Sequence, residues 1–306
     1  MMVIVTICVV FLLLAGGCAM LEPPAPVAEE PGMVVPGPFG AGRRPWALVL
    51  SGGSARGFAH IGVIKVLEEN GITPDLIVGA SAGSIVGALY ASGLTATEVE
   101  AAMAAMDMSL LDDVVWPRFG VLPGALGVVS GEKLRRFISG RLKRALIQDF
   151  PIRFAAVATD LDSGSARAFN AGDASLAVKA STAVPGLMSP VPIAGRRYAD
   201  GQIASPIPVQ EARRLGARTV IAVDVIYPPV DSSLTNPLRV VFQAFLISTY
   251  RLKEVELRDA DMVITPEIQR TTGQFGPGAR GHLIDAGERA AREALPRIKA
   301  AIDRGQ

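Results

Sequence analysis

Cysteine and histidine are both scarce in this chain of 306 residues. The two cysteines, Cys8 and Cys18, lie close to the start, so the rest of the chain has neither a disulfide nor a thiol nucleophile. His60 and His282 are the only histidines, and two are too few for a multi-histidine metal site. Any hydrolytic chemistry must therefore use oxygen nucleophiles and carboxylates, and we expect no metal site.

A charge excess of either sign is missing as well. The formal net charge is +1, 19% of the residues are charged and 50% are hydrophobic. Nucleic-acid binding would require a basic patch or stripe, so we expect no nucleic-acid partner. The length suits one large α/β domain or two small ones with a substantial core.

The first apolar run, residues 3–14, has the length of a signal-peptide core and is too short to predict a membrane span. Residues 14–18 read LAGGC, and small residues directly before a cysteine resemble the lipobox of bacterial lipoproteins, where that cysteine is diacylated and becomes the new N-terminus. Ala15 departs from this pattern, because a larger aliphatic residue is commoner there. We expect a signal peptide over residues 1–17 and lipidation at Cys18, with a plain cleaved signal or an uncleaved anchor as alternatives.

Proline and glycine are frequent in residues 19–45, which carry seven prolines and four glycines. Such a stretch cannot bury a core and is expected to be an extended tether. The chain thus divides into a signal peptide (1–17), a tether (18–45) and one globular domain (46–306). Lipidation at Cys18 would hold the domain on a membrane in the bacterial cell envelope, on the periplasmic side, whereas a plain signal would make the protein a secreted one.

From Trp46 onward, apolar strand patterns alternate with helical patterns. Strand patterns lie at residues 47–50, 76–78, 154–158, 219–225 and 262–265. Helical patterns lie at residues 58–70, 82–92, 95–106, 131–148, 174–181, 209–215, 238–258 and 283–303. This alternation predicts an α/β fold in which a mostly parallel central sheet is covered by helices on both faces.

Residues 79–83 read GASAG and fit the G-x-S-x-G pattern of a nucleophile elbow, with Ser81 at its centre. In such an elbow the serine sits on a strained strand-to-helix turn, where side chains at the flanking positions would clash with neighbouring backbone. The pattern alone is weak evidence in a glycine-rich chain, but here it directly follows an apolar strand and opens a helix of small residues. This context predicts a nucleophilic Ser81, and the alternative is a turn that packs a helix closely on the sheet.

A second glycine-rich segment, residues 51–57 (SGGSARG), separates the first strand from the first helix. Backbone N–H groups exposed at a helix N-terminus suit an anion, either a bound phosphate or the oxyanion of an acyl-transfer intermediate. Nucleotide-binding patterns fail, because Ser54 stands where G-x-G-x-x-G needs glycine and Phe58 stands where a Walker loop needs lysine. The oxyanion interpretation remains, with the N–H groups of Gly53 and Ser54 as donors and Arg56 bracing the loop.

Two kinds of general base are available to a serine nucleophile here. His282 is the only histidine in the position that a Ser–Asp–His order requires, but capping or a surface role explains it as well, and His60 suits a partly buried structural role. The alternative is Asp200, which follows a short strand-like run and precedes Gly201. An aspartate with its ordinary pKa of about 3.9 is a weak base and becomes useful when it is desolvated and hydrogen-bonded to the hydroxyl. An Asp-Gly pair is also common in plain turns.

Taken together and in this order, the three segments resemble the patatin-like phospholipases, in their bacterial branch. That family has a glycine-rich oxyanion loop that ends in arginine, a G-x-S-x-G serine, and an aspartate in Asp-Gly-Gly or Asp-Gly-Ala. Three further stretches match it in the same order, ATDL at 158–161, ASTAVPG at 180–186 and SPIPV at 205–209. The resemblance covers residues 46–225 firmly and the last third of the chain loosely, and it implies a patatin-like acyl-hydrolase domain over residues 46–306.

The resemblance implies a serine ester hydrolase with a Ser81–Asp200 dyad and an acyl-enzyme intermediate, which needs no metal and no organic cofactor. The oxyanion would be held by the loop and the start of the following helix, at Gly52, Gly53, Ser54, Arg56 and Ala82. The implied substrates are membrane phospholipids or other lipid esters, cleaved as by a phospholipase A or a lysophospholipase. Two alternatives stay open: a carboxylesterase or thioesterase acting on soluble esters, and a non-catalytic lipid-binding protein of the envelope.

Two positions depart from the family pattern, and two segments are candidates to border the site. Ser54 replaces the third glycine of the loop, which is tolerated unless its φ is positive, and Gln202 replaces a small residue after Asp-Gly. Residues 107–130 mix large apolar residues with proline and glycine, which fits a lid or membrane-facing rim or else an irregular connection. The helix at 238–258 is a second candidate rim, although we expect its apolar residues to pack on the sheet.

Overall fold

The computed structural model describes residues 31–32, 45–106, 110, 113, 127–229, 237–268 and 277–305. The predicted signal peptide, the lipidation site at Cys18 and most of the predicted tether lie outside these residues, as does most of the candidate rim at 107–130. Within the described ranges, no helix combines the length and the apolar character needed to span a membrane.

One eight-stranded sheet forms the centre of the described structure. The strands are Trp46–Leu50 (β1), Leu76–Ala80 (β2), Arg153–Asp160 (β3), Ala166–Phe169 (β4), Val191–Ile193 (β5), Arg196–Asp200 (β6), Thr219–Val223 (β7) and Met262–Ile264 (β8). Their order is β5-β6-β3-β2-β1-β7-β8, with β4 paired to β3. Strands β3, β2, β1, β7 and β8 are mutually parallel, whereas β4 and β6 run antiparallel to β3. The prediction of a mostly parallel sheet is confirmed.

Helices cover both faces of this sheet. They are Phe58–Glu69 (α1), Ala82–Ala91 (α2), Ala96–Ala104 (α3), Glu132–Ser139 (α4), Ala174–Ser181 (α5), Val209–Arg214 (α6), Pro237–Glu256 (α7) and Pro277–Gly305 (α8). Side chains alternate along β1: Leu48 and Leu50 join a core with α1 and α2, while Ala47 and Val49 join a second core with α6 on the other face. Burial on both faces explains why the central strands read as unbroken apolar runs.

The structure differs from the sequence prediction over residues 131–148, where the helical pattern is continuous. The helix α4 ends at Ser139, and a separate 3₁₀ turn forms at Ile147–Asp149. Leu146 is extended and pairs with Asp173, just before α5. This tertiary pairing overrides the local helical preference of the second half of the segment.

The parallel strands bring the candidate site residues to one edge of the sheet. Because β1 and β2 run in the same direction, Leu48 opposite Ile77, the segments that follow them both leave the sheet at its carboxyl edge. The glycine-rich loop follows β1 and Ser81 follows β2. In open parallel sheets, this edge is where ligand sites form.

Candidate active site

Ser81 lies in the turn between β2 and α2, with φ 50° and ψ −124°. Such backbone angles cost a non-glycine residue about 1–3 kcal/mol, so the surrounding structure has to hold them. The flanking glycines permit the turn: a Cβ atom at Gly79 would lie 2.5 Å from the carbonyl oxygen of Gly83, and one at Gly83 would lie 2.2 Å from the carbonyl oxygen of Leu50. The turn therefore has the geometry of a nucleophile elbow.

Ser81 and Asp200 are 119 positions apart in the sequence and form a direct hydrogen bond. The serine hydroxyl donates to Oδ2 of Asp200 over 2.8 Å. Both side chains are buried, with Ser81 6% and Asp200 0% exposed. The second carboxylate oxygen, Oδ1, accepts from the backbone N–H of Gln202 at 2.9 Å. The carboxylate is thus oriented by one oxygen and presents the other to the serine.

The register of the sheet brings the two residues together. Asp200 is the last residue of β6 and lies opposite Ala158 of β3, and β3 in turn pairs with β2, Ala156 opposite Gly79. The hydroxyl of Thr159 donates to the carbonyl oxygen of Asp200 at 2.8 Å and holds the end of β6 in place. An antiparallel pairing between distant strands therefore sets the position of the base relative to the nucleophile.

Burial changes the acidity of Asp200. Desolvation raises the pKa of Asp200 from 3.8 to about 7, against the opposing effect of the hydrogen bonds from the Gln202 N–H and the Ser81 hydroxyl. A carboxylate with this pKa accepts a proton more readily than an ordinary aspartate and is still substantially ionised near neutral pH. Asp200 therefore has the properties of a general base for Ser81.

Ser181, at the end of α5, supports the elbow and was not identified as a site residue from the sequence. Its Oγ accepts the backbone N–H of Ser81 at 3.0 Å, and its hydroxyl donates to the carbonyl oxygen of Val157 at 2.6 Å. Two residues further on, the carbonyl oxygen of Ala183 accepts the backbone N–H of Asp200 at 2.9 Å. The stretch at 180–186, noted only as a family match, thus contacts the backbone of both members of the dyad.

Gly52 connects the glycine-rich loop to the segment that follows Asp200. Its N–H donates to the carbonyl oxygen of Pro206 at 3.1 Å, and a Cβ atom here would lie 2.1 Å from Cδ of Gln202. The expectation that Gly52 belongs to the oxyanion-binding set is therefore corrected. Its N–H is already engaged, and its missing side chain makes room for Gln202.

Gly53, Ser54 and Ala82 are the other backbone donors that the sequence predicts for an oxyanion, and the structure brings their segments together. The N–H of Arg56 donates to the carbonyl oxygen of Gly53 at 3.1 Å and closes the 3₁₀ turn. At the end of this turn, a Cβ atom on Gly57 would lie 2.7 Å from Cβ of Ala82, so the turn packs directly on the start of α2. N–H groups at helix starts lack intrahelical acceptors, and two such starts meet beside the nucleophile.

Ser54 occupies a backbone conformation that favours glycine. Its φ is 53°, within the left-handed region, and its side chain is exposed. The replacement of the family glycine by serine therefore falls at a position where it costs conformational energy.

Arg56 packs inward from the loop. Its guanidinium carbon lies 6.0 Å from the ring centroid of Tyr227, within the range of a cation–π contact. Burial lowers the pKa of Arg56, and the charges of Tyr227 and Asp224 oppose that shift. An arginine remains protonated in this setting, so Arg56 brings a positive charge next to Tyr227, and its bracing of the loop stays a prediction.

Neither histidine is hydrogen-bonded to the serine. His60 is fully buried, and its Nε2 lies 2.8 Å from the carbonyl oxygen of Ser51, to which the neutral ring donates. Burial lowers the pKa of His60 to about 4. His282 is exposed on α8. Within the part of the chain that the structure describes, no three His, Cys, Asp or Glu side chains lie close enough to hold a metal ion.

The chain is similar in sequence to a known protein family, over a part that contains Ser81 and Asp200, and to several known proteins. The family model "Patatin-like phospholipase" matches residues 48–213, which is more than half of the chain. An uncharacterized NTE family protein of Mycobacterium tuberculosis is 35% identical over 182 residues, covering 58% of this chain and 48% of the relative. Lysophospholipase NTE1 of Saccharomyces cerevisiae is 33% identical over 184 residues, covering 58% of this chain and 10% of the relative. The chain therefore matches half or less of the length of these relatives.

Among solved structures, VipD from Legionella pneumophila shares 14% sequence identity with a TM-score of 0.48, over 91% of this chain and 72% of that chain. The type III effector ExoU shares 18% identity with a TM-score of 0.43, over 83% of this chain and 53% of that chain.

Proposed function

This chain belongs to the patatin-like phospholipase family, and we propose that it hydrolyses carboxylic esters of lipids through Ser81 and Asp200. The hydrogen bond of 2.8 Å from the Ser81 hydroxyl to the buried Asp200 carboxylate carries this proposal. It joins the residue of the nucleophile elbow to a carboxylate that is within reach of the serine proton and, with its raised pKa, basic enough to take it.

The geometry supports a two-step reaction. Ser81 Oγ attacks the ester carbonyl carbon while its proton passes to Oδ2 of Asp200, and the N–H groups of Gly53, Ser54 and Ala82 stabilise the oxyanion. The tetrahedral intermediate collapses, the carbon–oxygen bond to the alcohol breaks, and Asp200 returns the proton to the departing alcohol. Water then attacks the acyl-enzyme, gives its proton to Asp200, and releases the fatty acid as Ser81 regains a proton.

For the substrate, we propose membrane phospholipids or lysophospholipids, cleaved as by a phospholipase A or a lysophospholipase. The family membership supports this class, and one relative bears the name lysophospholipase. We further propose that Cys18 is lipidated and that residues 18–45 tether the domain to a membrane of the bacterial envelope, on the periplasmic side. Small residues before Cys18 and the proline-rich stretch after it support this part of the proposal.

The direct test is fatty-acid release from mixed phospholipid vesicles by the full chain and by its Ser81→Ala variant. We expect release by the parent and a loss of at least about a thousandfold in the variant, the scale expected for removal of a nucleophile. Ser92→Ala is the matched control. Ser92 is a buried serine that directly follows α2, the helix that begins after Ser81, and its hydroxyl donates to the carbonyl oxygen of Leu89 at 2.8 Å. Ser92→Ala should retain the parent rate.

Two outcomes would replace the proposal. Hydrolysis of short-chain esters without release from vesicles would identify an esterase or thioesterase for soluble substrates. A folded parent that releases nothing from either substrate would point to a lipid-binding protein without catalysis.

A further inference from the structure

Large apolar side chains are exposed mainly on one helix, α7. Val240, Val241, Phe242, Ile247 and Val255 expose between 42% and 55% of their surfaces. In the rest of the described structure, only Leu161 and Leu187 among large apolar residues are similarly exposed. The expectation that the apolar residues of this helix pack on the sheet is therefore wrong for much of the helix. Clustered exposed apolar residues indicate an interaction surface.

The second half of α7 is anchored to the domain by buried polar contacts. Its buried residues Thr249, Lys253 and Glu256 recur at helical spacing on one face. Lys253 Nζ donates to Oδ2 of Asp224 at 2.7 Å, and Oε2 of Glu256 accepts the backbone N–H of Ile207 at 2.8 Å. None of residues 239–248 is buried. We call residues 239–248 the projecting half of α7.

The projecting half extends beyond the edge of the sheet that carries Ser81. Lys253 binds Asp224, which directly follows the carboxyl end of β7. From there the helix runs on to β8, which is parallel to β7 and therefore starts at the opposite edge. Thr249 lies 3.5 Å from the carbonyl oxygen of Gln202, close to the base Asp200. At 1.5 Å rise per residue, the projecting half extends about 15 Å past this contact.

The exposed side of this half is largely apolar, and its one charged residue is cationic. Val240 lies nine positions before Thr249, and Ile247 lies nine positions before Glu256. Nine residues make two and a half helical turns, so Val240 and Ile247 lie on the side of the helix opposite these anchored residues.

Arg239 is the only charged residue of the projecting half, and the next exposed charge along the helix is Arg251, whose side chain is 77% exposed. No carboxylate of the helix precedes Glu254, and Lys253 is buried against Asp224. An apolar face flanked by basic residues fits the interface of a bilayer that contains anionic lipids.

We infer that the projecting half of α7 docks on the surface of an anionic phospholipid bilayer, with Val240, Val241 and Ile247 inserted below the head groups. This inference rests on the proposed lipid hydrolysis and extends it. Docking there places the carboxyl edge of the sheet, and with it Ser81, next to the lipid that has to enter the site.

A matched pair of substitutions on this helix tests the inference in the full chain. Val241 is 55% exposed in the projecting half and Val255 is 54% exposed at the anchored end, so Val241→Asp and Val255→Asp introduce the same charge at equal exposure. The measurement is the ratio of hydrolysis of phosphatidylglycerol–phosphatidylethanolamine vesicles to hydrolysis of p-nitrophenyl butyrate. We expect this ratio to fall at least about tenfold for Val241→Asp, further when Ile247→Asp is added, and to stay at the parent value for Val255→Asp.

A second readout depends neither on catalysis nor on the N-terminal anchor. Cys8 and Cys18 are replaced by serine, Ser81 by alanine, and an environment-sensitive fluorophore is attached at Ala244→Cys or, as the control, at Val255→Cys. Insertion predicts a blue shift on anionic vesicles for the label at 244, a smaller one on phosphatidylcholine vesicles, and none for the label at 255.

Each result decides between docking and the alternatives. Equal ratios for Val241→Asp and Val255→Asp, or no shift of the label at 244, overturn the inference, even if the parent proves to be a lipid hydrolase. A parent that cleaves neither substrate refutes the proposed function, whereas a shift of the label at 244 would still support docking. If Val241→Asp converts a dimer to a monomer in sedimentation and the label at 244 shows no shift on anionic vesicles, the face binds a second copy and the inference is wrong.

Discussion

Glu211 and Glu256 share the hydroxyl group of Ser205. The Oγ of Ser205 lies 2.7 Å from Oε2 of Glu211 and is also hydrogen-bonded to Oε1 of Glu256, and all three side chains are buried. A hydroxyl has one proton to donate, so the second contact requires a proton on a carboxyl group. Burial raises the pKa of Glu256 to about 8, whereas Glu211 is paired with Arg214. Glu256 therefore holds the extra proton at neutral pH.

The first prediction concerns stability against pH. The pKa of Glu256 is about 8 in the folded protein and 4.5 as an ordinary glutamate, so the folded state binds more protons between these values and the free energy of unfolding falls as the pH rises through them. Glu256→Gln keeps a neutral group there at every pH. Relative to the parent, this variant should be nearly as stable at about pH 5 and more stable, by roughly a few kcal/mol, at about pH 9.

Urea unfolding at both pH values measures this difference. The raised pKa of Asp200 also makes stability fall with rising pH, but it does so in both proteins, so the difference between them reports Glu256. The control is Glu254→Gln, an exposed glutamate on the same helix, which should leave the pH dependence as it is in the parent. A parent and Glu256→Gln with parallel pH profiles would show that Glu256 is ionised.

The second prediction concerns catalysis against pH. Asp200 must be ionised to accept the proton of Ser81, and burial raises its pKa to about 7. The kcat/KM for a soluble ester should therefore rise about tenfold per pH unit below that value and level off above it. Asp200→Asn should lower kcat/KM at least about a thousandfold at every pH. A parent profile that is flat from about pH 5 to about pH 9 would contradict a base with this pKa.

The third prediction concerns the backbone of the oxyanion loop. Ser54 has φ 53° and an exposed side chain, so a substitution there acts through the backbone rather than through lost contacts. Ser54→Val should lower kcat at least about tenfold, because a β-branched residue disfavours this conformation and displaces the N–H that stabilises the oxyanion. Ser54→Gly should keep the parent rate, since glycine adopts the conformation without strain. Equal rates for the two variants would argue that the Ser54 N–H is not used.

The fourth prediction concerns the support of the elbow. Ser181→Ala removes the hydrogen bonds to the N–H of Ser81 and to the carbonyl oxygen of Val157, which should cost about 1–3 kcal/mol of stability and lower kcat more than it raises KM. The control is Ser175→Ala. Ser175 is a buried serine of the same helix whose hydroxyl donates to Asp173, so its loss should lower stability and leave kcat unchanged. Thermal unfolding and steady-state kinetics on one ester measure both quantities.

Much of the site could be predicted from the sequence because its chemistry is written in short segments. Ser81 follows an apolar strand and lies between two glycines, and the structure shows backbone within 2.5 Å of where their side chains would begin. Asp200 could be proposed as the base because the resemblance to the patatin-like family implies it, whereas an Asp-Gly pair alone is common in plain turns. Its pKa could not, since the value depends on complete burial by strands far away in the sequence.

Other features depend on contacts that no local pattern contains. The role of Ser181 arises from a hydrogen bond across 100 positions, and that of Gly52 from the approach of Pro206 and Gln202. The helical pattern at 131–148 was broken by a pairing with Asp173. Each of these is decided by which segments meet in space, and the sequence around each residue is compatible with more than one outcome.

The sequence by itself determined the alternation of buried strands and helices, the elbow at Ser81 and the glycine-rich loop, because these follow from side-chain periodicity and from steric limits within a few residues. The tertiary structure alone decided that Ser81 and Asp200 are hydrogen-bonded, that Glu256 stays protonated and that the first half of α7 is exposed. Those properties depend on desolvation and on packing between distant segments, and the apolar residues of α7 look alike in sequence whether they face the sheet or the solvent.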